Sequence, residues 1–201
     1  MAALFDDMAS MKRAVILHGT DGSPDENWFP WLKGELERRG FEVWVPLLPD
    51  NHTPNRKTYN NFLHESGWNF AENLVIGHSS GAVSILNMLD DDRFPAIDTA
   101  VLVGAWLRNI PNSVIDVERF GDLFPPKGFD FEKIKSKASH LLMLHGEDDP
   151  FCPVEQAREL SHLLDAKLKV IADGLHFSAG LDPRFTKIPE LINLLEKSES
   201  L

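Results

Sequence analysis

From residue 13 onward, short apolar runs alternate with amphipathic stretches, and that alternation predicts the fold. Ala14-Val15-Ile16-Leu17 is apolar at successive positions, the pattern of a strand buried on both faces. Runs of the same kind follow at Phe41 to Val45, Leu74 to Ile76, Asp98 to Val103, His140 to Leu144 and Leu168 to Ala172. Between them the apolar residues fall at helical spacing. Trp28, Trp31, Leu32 and Leu36 form one stripe, behind Asn27 as the expected N-cap, with Pro30 in the first turn and Gly40 as the stop. Helices are also expected near 56–65, from Ala82 through Leu86, at 131–137, from Pro153 to about Asp165, and near 187–197. Six strands separated by helices imply an α/β fold. Right-handed crossovers leave a single-domain, doubly wound, mostly parallel six-stranded sheet in three α/β/α layers.

Two stretches depart from this rhythm. Residues 1–12, with Asp6 and Asp7 and no basic start before an apolar core, read as a loosely ordered extension rather than a secretory signal. Residues 13–201 make the domain. Between Ala105 and Phe131 no period holds, yet Trp106, Phe120, Phe124, Phe129 and Phe131 occur there with Pro125 and Pro126. Long irregular insertions in compact domains serve as lids or pocket walls, or else as loops packed by their own aromatics, and both readings stand for this segment.

Composition narrows the function classes. The 201 residues suffice for one well-buried domain and are short for two. A net charge of −11 argues against a nucleic-acid backbone or an anionic membrane surface as partner. No apolar run approaches the roughly 20 residues of a spanning helix. The one cysteine, Cys152, excludes an internal disulfide and suits the cytoplasm. It reads as a packing residue.

The chemistry begins where the third strand runs into Gly77-His78-Ser79-Ser80-Gly81 and leaves through a helical pattern. Strand, Gly-x-Ser-x-Gly and helix together make the context of a nucleophile elbow, in which a sharp turn exposes the serine hydroxyl at the sheet edge. Serine is a poor nucleophile at neutral pH, so Ser79 needs a general base, and the base needs an orienting carboxylate. The loop after the fifth strand supplies Glu147, Asp148 and Asp149, and the loop after the sixth supplies His176. Asp149 is favoured because Pro150 and Pro153 fix the backbone that follows it; Asp148 remains an alternative. Of the eight histidines only His162 and His176 follow this acidic loop, and His162 falls inside a predicted helix. His18, His78 and His145 read as hydrogen-bonded packing residues. The order Ser79, Asp149, His176 is the one a nucleophile-elbow hydrolase requires.

An oxyanion hole needs two backbone donors. Ser80 offers one by position, and Thr20, in the loop His18-Gly19-Thr20-Asp21-Gly22, is the choice for the other. No Lys follows in Walker spacing, so a phosphate loop is rejected. Trp28, Trp106, Phe151 and Phe177 are candidates for the pocket wall. Neither a metal nor a cofactor is called for.

The segments Ile16 to Gly22, Trp28 to Gly40, Val75 to Ala82, Asp148-Asp149-Pro150-Phe151 and Gly174-Leu175-His176-Phe177 resemble an α/β-hydrolase. More narrowly, they resemble the small serine hydrolases of the retinoblastoma-binding-protein and YdeN-like group. The resemblance implies Ser79 as nucleophile, Asp149 as acid and His176 as base, on a sheet that lacks the first two antiparallel strands of larger relatives. Some relatives carry Leu-x-Cys-x-Glu, linked to retinoblastoma-protein binding. The comparable stretch here, Leu63-His64-Glu65-Ser66-Gly67, has no cysteine, so that interaction is not transferred. The expected activity is hydrolysis of a small ester, thioester or amide through an acyl-enzyme, with a small molecule as the partner. The alternative is a catalytically silent binding protein that presents the aromatics of 105–131.

Overall fold

The computed structural model describes residues 11–109, 117–198, 200 and 201. The expected extension therefore lies, apart from its last two residues, outside the described residues.

Six parallel strands form one sheet in the order β2-β1-β3-β4-β5-β6. They are β1 (Arg13–Leu17), β2 (Glu42–Trp44), β3 (Leu74–His78), β4 (Ile97–Val103), β5 (Ala138–Gly146) and β6 (Lys167–Ile171). The helices are α1 (Phe29–Glu37), α2 (Arg56–Glu65), α3 (Ser80–Leu89), α4 (Val117–Phe120), α5 (Phe131–Ser136), α6 (Val154–Leu163) and α7 (Pro189–Glu196).

Alternate strand residues feed two separate cores, because successive side chains leave opposite faces of a strand. Val15, Leu17, Val75, Ala100, Leu102 and Met143 meet Leu63 of α2, Ile85 and Leu86 of α3, Ile134 of α5 and Leu160 of α6. Ala14, Ile16, Ile76, Val101, Val103, Leu142 and Leu144 meet Phe29, Leu32 and Leu36 of α1 and Leu191, Ile192 and Leu195 of α7. This double burial is why the strands read as continuous apolar runs.

Boundaries shift where tertiary contacts override local signals. The edge strand β2 pairs with β1 alone and shortens to three residues, while β5, paired on both sides, extends to nine. Asn27 does not cap α1. Its backbone has φ +52 and its Oδ1 accepts from the Ala179 amide at 2.8 Å, so the helix begins at Phe29 without a side-chain cap. Asn55 caps α2 by accepting from the Thr58 amide at 3.0 Å.

The 105–131 segment has more structure than its sequence announces. Residues 110–116 lie outside the described residues, but α4 and a 3-10 turn at Gly121–Leu123 follow. Trp106, Phe120 and Leu123 are buried with Val83 of α3 and Cys152 in a third apolar cluster, against which Phe124 and Phe129 pack. These aromatics turn inward, which counts against an exposed partner surface. Among the described residues, no helix is long and apolar enough to cross a membrane.

Candidate active site

The carboxyl ends of β1, β3, β4, β5 and β6 converge on one cavity of about 550 Å³, the size of a small-molecule site. Ser79 stands at the turn from β3 into α3 with φ +56 and ψ −123, a conformation that non-glycine residues rarely adopt. Its amide donates to the Val103 carbonyl at 2.8 Å, which holds the strained residue against β4. The turn closes only because its flanks lack side chains. A Cβ at Gly77 would run into the Gly81 backbone, and one at Gly81 into the Leu17 and His18 carbonyls.

The loop after β1 lies against this elbow. A Cβ at Gly19 would stand 3.0 Å from the Ser79 Cβ, and the Gly22 amide donates to the Gly19 carbonyl at 3.1 Å to close the turn. Thr20 Oγ1 donates to Ser80 Oγ at 2.9 Å, so the two residues expected to supply the oxyanion donors are joined through their side chains. Ser80 is buried at the N-terminus of α3, where backbone amides favour negative charge.

The three adjacent carboxylates after β5 have three different fates. Glu147 pairs with Arg158 at 3.4 Å on the surface. Asp148 Oδ1 accepts from the Leu175 amide at 2.7 Å and so braces the loop after β6. Asp149, its side chain 0% exposed, receives Nδ1 of His176 on Oδ2 at 2.7 Å. Its Oδ1 accepts from the Phe151 and Cys152 amides, each at 2.9 Å. Burial by itself would raise the Asp149 pKa. The His176 ring and the two amides outweigh it and hold the carboxyl below its ordinary value. Asp149 thus meets His176 as an ionised acceptor, leaving Nε2 as the ring's basic atom.

Ser79 and His176 line the same cavity, with His78, Trp106, Phe120, Phe151, Cys152 and residues 178–180. Phe151, 37% exposed, stands edge-on to His176 with ring centroids 5.1 Å apart. Two of the four expected wall residues are elsewhere. Trp28 and Phe177 are buried in the core behind the site, where Trp28 Nε1 donates to the Phe177 carbonyl at 3.2 Å. Their aromatic bulk fills the layer between α1 and the sheet instead.

His18, His78 and His145 are buried and hydrogen-bonded, as the packing reading expects of them. His18 is buried; its Nε2 accepts from the Leu48 amide at 2.9 Å and its Nδ1 donates to the Gly19 carbonyl at 2.8 Å. His78 and His145 each donate from Nε2 to a carbonyl at 2.7 Å, those of His176 and Cys152 respectively. Burial lowers the pKa of all three, that of His78 to about 3, so they stay neutral. His162 is exposed on α6.

Asp149, Cys152 and His176 bring possible metal-ligating atoms within 4.8 Å of one another. The donor set suits a hydrogen-bonded pair better than an ion. Asp149 and His176 already satisfy each other, and burial, followed by the Asp149 charge, pushes the Cys152 thiol well up and keeps it protonated.

Sequence reasoning missed Gly104. It follows the apolar run of β4 with φ +61, and a Cβ there would lie 3.1 Å from His176 Cε1. It also missed the cross-link in which Arg119 bonds Asp21 and donates from Nε to the His52 carbonyl at 2.8 Å.

Comparison with known proteins gives the family. A family model for serine hydrolases matches residues 14–197. The chain is 29% identical over 192 residues to serine hydrolase RBBP9 of Rattus norvegicus, covering 94% of this chain and 96% of that protein. It is 27% identical over 192 residues to YdeN of Bacillus subtilis (strain 168), covering 92% and 94%. The crystal structure of the ydeN gene product superposes with a TM-score of 0.83 at 26% identity, covering 94% of this chain and all of that one. A meta-cleavage product hydrolase from Pseudomonas fluorescens IP01 shares the fold at TM-score 0.64 and 15% identity, covering 93% and 91%. With its parallel sheet, its elbow serine and a family match that spans nearly the whole chain, this protein belongs to the serine hydrolase family, on the RBBP9- and YdeN-like branch of the α/β-hydrolases.

Proposed function

We propose that the chain hydrolyses a small ester, thioester or amide through an acyl-enzyme on Ser79. His176 Nε2 takes the Ser79 hydroxyl proton as Oγ bonds to the substrate carbonyl carbon, and then delivers that proton to the leaving group. Asp149 holds the imidazole by its Nδ1–H and stabilises the imidazolium while it exists. The Thr20 and Ser80 amides are the donors for the carbonyl oxygen as it gains charge. Water, deprotonated by the same imidazole, then releases the acid. Trp106, Phe120 and Phe151 favour an apolar acyl group.

The observation that carries this reading is the 2.7 Å hydrogen bond between Asp149 and His176, whose ring lines the cavity that Ser79 shares. A fluorophosphonate probe tests it, because such probes phosphonylate only an activated serine. Wild type should label at Ser79 and Ser79→Ala should not. An unlabelled wild type, or a Ser79→Ala variant that labels equally, would refute the proposal.

A further inference from the structure

His78 precedes the elbow serine and is 4% exposed. Its ring is enclosed by aromatic groups: Trp28 edge-on at 5.9 Å, Phe29 at 6.0 Å and the His176 ring at 4.9 Å. Burial, and then the neighbouring His176, drive its pKa down to about 3, so the ring is neutral and its Nε2 carries the proton it gives to the His176 carbonyl. This hydrogen bond, at 2.7 Å, runs from the elbow to the main chain of the proposed base, across 98 residues of sequence.

The backbone that receives it needs restraint. Leu175 and Phe177, on either side of His176, have φ of +45 and +51. Bulky residues hold that left-handed conformation only when the surroundings determine it. Besides the His176 side chain's bond to Asp149, four hydrogen bonds among the described residues hold the main chain of this stretch: Leu175 amide to Asp148, Phe177 amide to the Gly174 carbonyl, Trp28 Nε1 to the Phe177 carbonyl, and His78 to the His176 carbonyl. Only the last comes from the elbow and lands on residue 176 itself.

We propose that His78 is a positioning residue that registers His176 against Ser79 by donating a hydrogen bond from the elbow to the base's own carbonyl. The inference rests on the triad reading above. His78 borders the cavity but is only 4% exposed, and its ring is turned to the His176 carbonyl, so its removal should slow turnover far more than it weakens substrate binding. Small displacements of a catalytic group cost rate steeply; about 1 Å can cost a factor of about 100.

The test compares His78→Leu, His78→Asn and His78→Gln in kcat and KM for 4-nitrophenyl acetate, with melting temperature as the check on folding. The Gln amide nitrogen lies as many bonds from Cα as His Nε2 does and can reach the carbonyl; the shorter Asn amide cannot, and Leu has no donor. We expect kcat to fall on the order of 100-fold in the Leu and Asn variants, with KM within about threefold, and Gln to recover most of the loss. In a His176→Gln background, His78→Leu should cost little more. Native kcat in a folded Leu or Asn variant, a loss carried by KM, or a Gln variant no faster than Asn overturns the positioning role. Full hydrolysis by His176→Gln alone overturns the triad reading instead, which keeps the two failures apart.

Discussion

Two walls of one cavity are built by different physics. The loop from β5 to α6 is held by directional bonds in a buried setting. Asp149 spends both oxygens on His176, Phe151 and Cys152, and His145 takes the Cys152 carbonyl from behind. The described parts of the opposite wall, Trp106 and the stretch from Arg119 to Leu123, are held by apolar contact underneath and by charge outside. Trp106, Phe120 and Leu123 pack on Val83 and Cys152, while Arg119 and Asp21 pair at the surface. Directional bonds place an atom to within a few tenths of an ångström, whereas apolar packing sets volume and shape. Under the proposed function the first wall carries the chemistry and the second decides what fits.

If that division holds, substitutions in the two walls should separate rate from binding. The largest effect belongs to Asp149→Asn, which keeps the shape and removes the charge that orients His176. kcat should fall by about 10⁴, as loss of a triad carboxylate does elsewhere. Asp148→Asn should cost far less, because its carboxylate only braces the Leu175 amide. Steady-state kinetics of both variants decide the matter; equal losses would erase the distinction between the two neighbours.

On the other wall, Trp106→Ala empties a fully buried site and should cost about 3–5 kcal/mol of stability by denaturant titration. Among folded molecules it should raise KM while Ser79 still labels with fluorophosphonate. Loss of labelling in folded protein would place Trp106 with the chemical wall instead.

Acid should strain the bonded wall. Between the ordinary histidine value of 6.5 and about 3, the unfolded chain binds a proton at His78 that the folded chain refuses, so stability falls as pH falls across that window. Above it both states are neutral and His78 contributes no slope. Each such site adds up to about 1.4 kcal/mol per pH unit, and His18 and His145, lowered in the same direction, add to it. Urea midpoints at pH 7.5, 6 and 5 should therefore drop in sequence. A constant midpoint would mean that these imidazoles admit protons in place. The smallest effect is expected from Arg119→Gln: its partner Asp21 is half-exposed, and such pairs are worth within about 1 kcal/mol. A larger loss, read from the same titration, would show that the surface pair carries the outer wall.

The strands and helices could be read because their causes are local. Apolar runs buried on both faces, such as Ala14 to Leu17, and helical stripes such as Leu32 and Leu36 record their surroundings in their own spacing. The elbow was equally readable, since Gly77 and Gly81 are demanded by backbone approach that no other residue permits. The failures have one cause as well. Asn27 has every local mark of a cap, yet its side chain serves Ala179, 152 residues away. Trp28 and Phe177 look like pocket walls to anyone counting aromatics, but which face of an aromatic meets solvent is set by neighbours distant in sequence.

By itself, then, the chain determined a parallel α/β sheet and the order in which serine, acid and histidine arrive at its carboxyl edge. Periodicity and glycine sterics are written within a few residues. The tertiary structure decided which of Glu147, Asp148 and Asp149 meets His176, which aromatics face the cavity, and that His78 reaches the His176 carbonyl. Those are choices of partner across 27 to 98 residues, and no local pattern encodes a partner until the fold has brought it within hydrogen-bond distance.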